Sequence, residues 1–149
     1  MNKKHLTNSH KQTQKLGKEL AREIIKNGAK KRAVVLELQG NLGGGKTTFL
    51  QGFAKGLGIK DKILSPTFVI LKHFEIVNSE FTDFYHIDCY RLKNEKDILE
   101  LGIKEIMKNP KNIIAVEWPE KIKKVLPKRN IVLEFKFISE TQREIIIKI

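Results

Sequence analysis

Apolar residues recur along the chain with two different spacings, and each spacing predicts a different element. Between residues 9 and 28 they recur every three or four positions, which predicts an amphipathic helix that a Ser9-x-x-Gln12 box caps and Gly28 ends. The mostly apolar run at 33–38 predicts a buried strand. After residue 47 the helical spacing returns and stops at Gly58, which predicts a second helix. The apolar face of this second helix comprises Leu50, Phe53, Ala54 and Leu57.

The rest of the chain contributes more strands than helices. The expected strands are 68–74, 84–88, 113–116, 131–137 and 145–149, and the expected helix is 94–107 with a break at Gly102. Residues 113–116 are all apolar, which is typical of a central strand covered on both faces. Together these elements predict a single α/β domain over residues 1–149, with three layers and a central sheet that mixes parallel and antiparallel strands.

A glycine-rich stretch joins the first predicted strand to the second predicted helix. Residues 40–47 are GNLGGGKT, which matches the phosphate-binding pattern G-x-x-x-x-G-K-[ST] and predicts a P-loop NTPase-like fold. Glycines let successive backbone N–H groups turn inward around anionic oxygens, and the following helix adds the positive end of its dipole. The expected nucleotide-binding residues in this stretch are Gly40, Gly43, Gly44, Gly45, Lys46, Thr47 and Thr48. Lys46 would reach the β- and γ-phosphates, and Thr47 would ligate Mg²⁺.

Two acidic residues close predicted strands and are candidates for a metal site. Asp88 ends the strand 84–88, and Glu117 directly follows 113–116. Ligands of open α/β sheets bind outside the carboxyl ends of the strands, where both side chains would project. We therefore expect Asp88 and Glu117 to be Mg²⁺ ligands and, with Lys46, catalytic residues. The alternative is that each acid only caps the turn after its strand.

Other side chains near these motifs allow two interpretations each. Ser65 and Thr67 flank a proline on the loop after the second helix, which suits a switch ordered by a γ-phosphate or simply a turn that begins a strand. Trp118 either stacks near the nucleotide or covers the sheet. His86 shares a strand face with Asp88 and is expected to be a satisfied core histidine rather than a functional one.

The formal net charge of +12 comes mostly from lysine. Such a charge attracts nucleic acid through its phosphates, but the lysines are spread along the sequence, so solvated surfaces explain most of them and direct RNA contact stays open. The single cysteine, Cys89, excludes an internal disulfide and a cysteine-based zinc site. No apolar run is long enough to span a membrane, and the N-terminus does not resemble a secretory signal, so a cytoplasmic protein is expected.

The nucleotide is expected to be ATP. GTP-specific proteins use Asn-Lys-x-Asp after a strand, whereas the nearest string here, NEKD at 94–97, differs at its second position and begins a helix. One alternative function is a small-molecule kinase, but such an enzyme would carry several arginines in a lid. Only Arg91 and Arg129 lie between the predicted switch and the last hairpin. The other alternative is a nucleotide-gated binding module whose hydrolysis is vestigial.

Four motifs follow one another in a fixed order. They are GNLGGGKTTF from residue 40, SPTF from residue 65, HIDCYRL from residue 86 and EWPE from residue 117. This set, with the TQKLG helix from residue 13, resembles the TsaE (YjeE) family over nearly the whole chain. Those proteins are bacterial P-loop ATPases needed for threonylcarbamoyladenosine formation beside the tRNA anticodon.

The resemblance implies ATP and Mg²⁺ as cofactors and slow hydrolysis that depends on partner proteins, the TsaB and TsaD homologues. Contact with tRNA would be indirect or weak, and no membrane partner is implied. The roles assigned above to Lys46, Thr47, Asp88 and Glu117 match the family residue by residue, and the resemblance implies that Arg143 lies near the adenine. Asn41 departs from the family pattern, since an acidic residue is usual at that position.

Overall fold

The computed structural model of the protein describes residues 2–41, 43–63 and 71–149. The strands are β1 (Asn2–Thr7), β2 (Val34–Gln39), β3 (Leu71–Glu75), β4 (Asp83–Asp88), β5 (Asn112–Glu117), β6 (Ile131–Phe137) and β7 (Arg143–Lys148). The helices are α1 (His10–Asn27), α2 (Lys46–Gly56), α3 (Lys96–Leu99) and α4 (Ile103–Lys108), and a 3₁₀ turn covers Pro119–Ile122. No helix in these ranges is long and apolar enough to cross a membrane.

The strands form one sheet in the order β1-β7-β6-β2-β5-β4-β3. β2 runs parallel to β5 and β6, and β4 runs parallel to β5. The pairs β1–β7, β6–β7 and β3–β4 are antiparallel, so the predicted mixed sheet is confirmed. The four parallel strands end at one edge of the sheet, here called the C-terminal edge, and begin at the opposite N-terminal edge.

Helices cover both faces of the sheet. α1 and α2 pack on one face, whereas α3, α4 and the 3₁₀ turn pack on the other. In β5, Ile113 and Ala115 contact the α1–α2 side, and Ile114 and Val116 contact the opposite side. All four are fully buried, which explains why this strand is continuously apolar instead of alternating. The predicted three-layer architecture is confirmed.

Helices α1 and α2 touch backbone to backbone because glycines lie at their contact. A Cβ atom on Gly52 would lie 1.9 Å from the carbonyl oxygen of Gln14, and one on Gly17 would lie 2.2 Å from that of Phe49. A larger residue at either position would force the helices apart. This contact places the start of α1 beside the start of α2, where the glycine-rich loop ends.

Three elements differ from the predictions. β1 is not predicted, because it is an edge strand on β7 whose residues are mostly polar and exposed, so it lacks the alternation that marks a half-buried strand. The predicted helix 94–107 is two short helices, because Gly102 has a φ of 78° and interrupts the helical backbone. The predicted strand 68–74 overlaps β3 from residue 71, and its first part lies outside the described residues.

Candidate functional site

A cleft of about 400 Å³ opens at the C-terminal edge of the sheet. Most residues predicted to form the site line this cleft, namely Gly43, Gly45, Lys46, Thr47, Thr48, Asp88, Glu117, Trp118 and Arg143. Gly40 and Gly44 face a second hollow of about 350 Å³ on the other side of the loop. Ser65 and Thr67, predicted to be a switch, lie outside the described residues.

The backbone of the glycine-rich loop depends on glycine. Gly40, Gly43 and Gly45 have φ values of 138°, 81° and 98°, which side chains rarely tolerate. A Cβ atom on Gly40 would also lie 2.5 Å from the carbonyl oxygen of Phe135. The N-cap residue of α2, Gly45, has no side chain that could accept a hydrogen bond from the first N–H groups of the helix, and residues 45–48 line the cleft. Such a loop and helix start form a binding site for anions.

Lys46 is the first residue of α2 and is nearly completely buried. Its ammonium donates a hydrogen bond to the carbonyl oxygen of Gly40 at 2.7 Å and lies 4.3 Å from the centre of the Trp118 ring. Burial lowers the pKa of Lys46, and the carboxylates of Glu117, Asp88 and Glu120 oppose that shift. The cation therefore sits at the cleft wall with little solvent around it, where an anionic ligand would interact with it strongly.

Asp88 and Glu117 are direct neighbours across the parallel strands β4 and β5. The Asp88 carboxylate accepts a hydrogen bond from the backbone N–H of Tyr90 at 2.9 Å. Burial is the largest influence on its pKa and raises it, and the nearby charge of Glu117 acts in the same direction. Two neighbouring carboxylates that are both at least partly buried suit a bound cation. A cation offsets the cost of burying their charges and reduces the repulsion between them.

His86 forms a hydrogen bond with the carboxylate of Glu117. Its Nε2 atom lies 2.6 Å from Oε2 of Glu117, and the imidazole is fully buried. The other ring nitrogen, Nδ1, has no hydrogen-bond partner in the described part of the chain. The expected burial of His86 is confirmed, but among the described residues only Nε2 of its ring has a hydrogen-bond partner, and that partner is a site residue.

Trp118 both covers part of the sheet and lines the cleft, whereas stacking near a nucleotide stays a prediction. Its ring packs partly against the apolar cluster under α3 and α4, and it also lines the cleft over Lys46. Its backbone has a φ of 58°, an uncommon conformation for a non-glycine residue. Tyr90 lies 5.1 Å from Trp118, ring centre to ring centre, and is exposed. Tyr90 was not among the predicted site residues, although its place between Asp88 and Arg91 in the HIDCYRL motif was an available signal.

Arg143 begins β7 and ties the last hairpin to the glycine-rich loop. Its Nε donates to the carbonyl oxygen of Gly43 at 2.9 Å, and its Nη1 donates to those of Ser139 and Gln142 at 2.5 and 3.0 Å. The guanidinium also lies 4.6 Å from the centre of the Phe137 ring. Arg143 is thus placed at the cleft as predicted, and its donors hold the loop backbone. Its proximity to an adenine stays a prediction.

The start of α1 forms a wall of the cleft that was not predicted. Ser9, His10 and Thr13 line it. The Thr13 hydroxyl lies 2.7 Å from that of Thr7, and Nδ1 of His10 lies 3.4 Å from the hydroxyl of Thr48. The predicted capping by Ser9 is confirmed, since its hydroxyl accepts from the N–H of Gln12. The capping motif indicates where α1 begins, but it does not indicate that the start of α1 lines the cleft.

The donors at this edge fit Mg²⁺ that arrives with a nucleotide. Among residues 2–41, 43–63 and 71–149, no group of three or more His, Cys, Asp and Glu side chains could hold a metal ion. Mg²⁺ in nucleotide sites needs only one or two carboxylates, because phosphate oxygens and water complete its shell. Asp88, Glu117 and the Thr47 hydroxyl line one cleft and supply such a set.

Comparisons with known proteins agree on one family. A sequence model of the family "Threonylcarbamoyl adenosine biosynthesis protein TsaE" matches residues 7–145. The tRNA threonylcarbamoyladenosine biosynthesis protein TsaE of Bacillus subtilis is 40% identical over 111 residues, which are 74% of this chain and 66% of that protein. The protein of the same name from Rickettsia felis is 37% identical over 139 residues, 93% of this chain and 75% of that one.

A solved structure shares the fold. The crystal structure of Bacillus subtilis YdiB superposes with a TM-score of 0.75 at 31% sequence identity. The match covers 99% of this chain and 84% of the YdiB chain.

Proposed function

This chain belongs to the TsaE family, and on that premise we propose that it binds ATP with Mg²⁺ and hydrolyses it slowly in support of threonylcarbamoyladenosine modification of tRNA. The observation that carries the proposal is the meeting of Lys46 and Thr47 with Asp88 and Glu117 in one cleft. A phosphate-binding loop on one side and two strand-end carboxylates on the other are the parts that nucleotide hydrolysis needs.

The residues divide the work by position. The loop N–H groups and Lys46 would hold the β- and γ-phosphates, and Thr47 with a carboxylate would hold Mg²⁺, which supplies charge neutralisation when bound. Lys46 would exchange its hydrogen bond to the Gly40 carbonyl for phosphate oxygens. Of the two acids, Glu117 is the one clamped by His86, so its free oxygen is held in a defined direction. That suits Glu117 to orient the attacking water and leaves Asp88 for the metal.

Partner proteins would complete the site, and the TsaB and TsaD homologues are the expected ones. Exposed apolar side chains flank the cleft on both sides, with Tyr90 on one side and Phe137 and Ile138 on the hairpin. The hollow behind the glycine-rich loop is lined by these hairpin residues together with Gly40 and Gly44. A partner that docks there would contact the backbone of the phosphate-binding loop. Its binding could therefore change the conformation of the loop and so the rate of ATP hydrolysis.

We also propose that the protein acts in the cytoplasm. That compartment keeps thiols reduced, which suits the free, buried thiol of Cys89.

The test is ATP turnover by the purified chain alone, with each partner homologue, and with both. We expect turnover to rise only in the complex and to disappear in Lys46→Ala. Equal turnover with and without partners would overturn partner dependence. Turnover stimulated by a metabolite in the absence of any protein would instead identify a small-molecule kinase. Complex function that survives Glu117→Ala but not Lys46→Ala would identify a binding module with vestigial hydrolysis.

A further inference from the structure

The N-terminal edge of the sheet, opposite the cleft, gathers basic residues that are far apart in the sequence. Three segments lead into the three neighbouring central strands β6, β2 and β5. They carry Lys30, Lys31 and Arg32 before β2, Lys108 and Lys111 before β5, and Lys128 and Arg129 before β6. All of these are exposed except Arg32, which is half-buried. These seven residues are called the basic edge below.

Hydrogen bonds hold the three segments side by side. Nη2 of Arg32 donates to the carbonyl oxygens of Lys128 and Arg129 at 2.5 and 3.3 Å. The backbone N–H of Ala33 donates to the carbonyl oxygen of Met107 at 3.0 Å. Neighbouring strands lie about 4.8 Å apart, so the segments lie within about 10 Å of one another across the sheet. The basic edge is therefore one preorganised surface and not three separate tails.

The charges of the basic edge are not neutralised by the chain itself. Within the described ranges, none of its residues forms a salt bridge, since all ion pairs there involve other residues. Acids on the neighbouring elements accept hydrogen bonds from other groups. Glu37 accepts from the side-chain amide of Asn130 at 3.0 Å. At the β3–β4 corner, Glu80 accepts from the N–H of Ala29, and Asp83 accepts from Thr82 and His73. An external anion is thus the natural counterpart.

We propose that the basic edge binds the sugar-phosphate backbone of a folded RNA. Lysine-rich surfaces contact phosphates without reading sequence. Single-stranded RNA would call for exposed aromatic rings to stack its bases, and no segment of the basic edge contains an aromatic residue. A double-helical stem needs only spaced cations that match its backbone. The choice of RNA as partner rests on the proposed function, since the relatives are named for tRNA modification.

The test compares two triple variants with the same change in net charge. Lys31→Glu, Lys111→Glu and Lys128→Glu together place one reversed charge in each segment of the basic edge. The control, Lys15→Glu, Lys96→Glu and Lys123→Glu, reverses three exposed lysines that lie in neither the basic edge nor the cleft. Binding to an unmodified tRNA transcript is measured by fluorescence anisotropy over a series of salt concentrations, and circular dichroism verifies that each variant is folded.

We expect the basic-edge variant to bind the transcript at least about tenfold more weakly than the control variant. Its plot of log affinity against log salt should be shallower than the wild-type plot by about 2 to 3, because roughly one counterion is released for each phosphate contact. Equal losses in both triple variants would mean that only net charge matters and would overturn the proposal. No binding by the wild-type chain at physiological salt would also overturn it.

Two further arms separate this proposal from the alternatives and from the proposed function. Anionic phospholipid vesicles replace the transcript in one arm, and selective loss of vesicle binding, with RNA binding kept, would assign the basic edge to a membrane surface instead. In the other arm, ATP binding is measured for the basic-edge variant and RNA binding for Lys46→Ala. We expect both to be retained, because the two edges of the sheet are separate. Failure of RNA binding with intact ATP binding would refute only the present inference.

Discussion

The two ends of strand β4 each carry an aspartate, and the pKa values of their carboxyls move in opposite directions. Asp88, at the cleft, has its pKa raised chiefly by burial. Asp83, at the opposite end, has its pKa lowered chiefly by the hydrogen bond from the Thr82 hydroxyl, with His73 contributing. The surroundings of β4 therefore disfavour the ionised form of Asp88 at its end and stabilise the ionised form of Asp83 at its start.

The same contrast separates the two edges of the sheet. At the C-terminal edge, burial lowers the pKa of Lys46 and raises that of Asp88, so both charged forms are held in an unfavourable environment. At the N-terminal edge, the basic side chains stand mostly in solvent. Groups with perturbed pKa values cluster at functional sites, because binding of a charged ligand offsets the free-energy cost of burying them. The C-terminal edge therefore suits a small anion bound at defined positions, whereas the N-terminal edge suits a polymer with many spaced negative charges.

The largest expected effect tests whether nucleotide recognition belongs to the C-terminal edge alone. Lys46→Ala removes the only lysine that lines the cleft within the described ranges, so ATP affinity should fall by about a hundredfold or more. Lys55→Ala is the matched control, since it removes an exposed lysine at the other end of α2. Isothermal titration with a non-hydrolysable ATP analogue and Mg²⁺ measures both. Similar losses in the two variants would show that binding depends on general charge instead of on the loop.

The next largest effect concerns the clamp on Glu117. His86→Ala leaves the buried Glu117 carboxylate without its partner, so ATP turnover in the complex should drop about 10- to 100-fold while the KM for ATP changes little. His86→Gln keeps an amide donor near the position of Nε2 and should recover most of the turnover. Steady-state kinetics on folded variants decides. If the glutamine variant is as slow as the alanine variant, the clamp does not act by orienting Glu117.

A smaller effect on stability is expected at Asp88. The folded protein keeps the Asp88 carboxyl protonated to a higher pH than the unfolded chain does. The stability that Asp88 contributes is therefore fully present below its ordinary pKa of 3.8. It is lost as the pH rises through the raised pKa of the folded protein. Asp88→Asn should therefore raise the Tm near neutral pH, and the gain should shrink as the pH falls toward about 4. Thermal melts without Mg²⁺ or nucleotide measure it. A lower Tm at neutral pH would contradict the unfavourable burial of this carboxylate.

The smallest effect is the mirror image at Asp83. Its pKa is lowered in the folded protein, so its contribution is present above the ordinary value of 3.8 and is lost as the pH falls through the lowered value. Asp83→Asn should lower the Tm near neutral pH by only about 1 to 3 °C, because the group is partly exposed and solvent screens its interactions. The same melts serve as the readout. Identical pH dependence for the Asp88 and Asp83 variants would remove the contrast between the two ends of β4.

Much of the fold and site could be predicted from local patterns. The loop at 40–47, the strand-end positions of Asp88 and Glu117, and the double burial of 113–116 are each encoded within a few consecutive residues. Period and turn chemistry are local properties, so a single sequence reveals them. β1 escaped prediction because an exposed edge strand has no apolar face to impose a pattern. The sequence predicts the break in the helix at Gly102, but it does not reveal that the backbone of Gly102 is left-handed.

The sequence by itself determined the chemistry available to this protein: a phosphate-binding loop, two strand-end acids and an excess of lysine. Only the tertiary structure decided how those parts meet. Arg143 is 100 residues from the Gly43 carbonyl that it binds, and His86 is 31 residues from Glu117. The basic edge likewise arises because parallel strands begin side by side, although their lead-in segments are far apart in the chain. The physical reason is that sheet order and helix packing set such contacts, and neither leaves a periodic mark on the sequence.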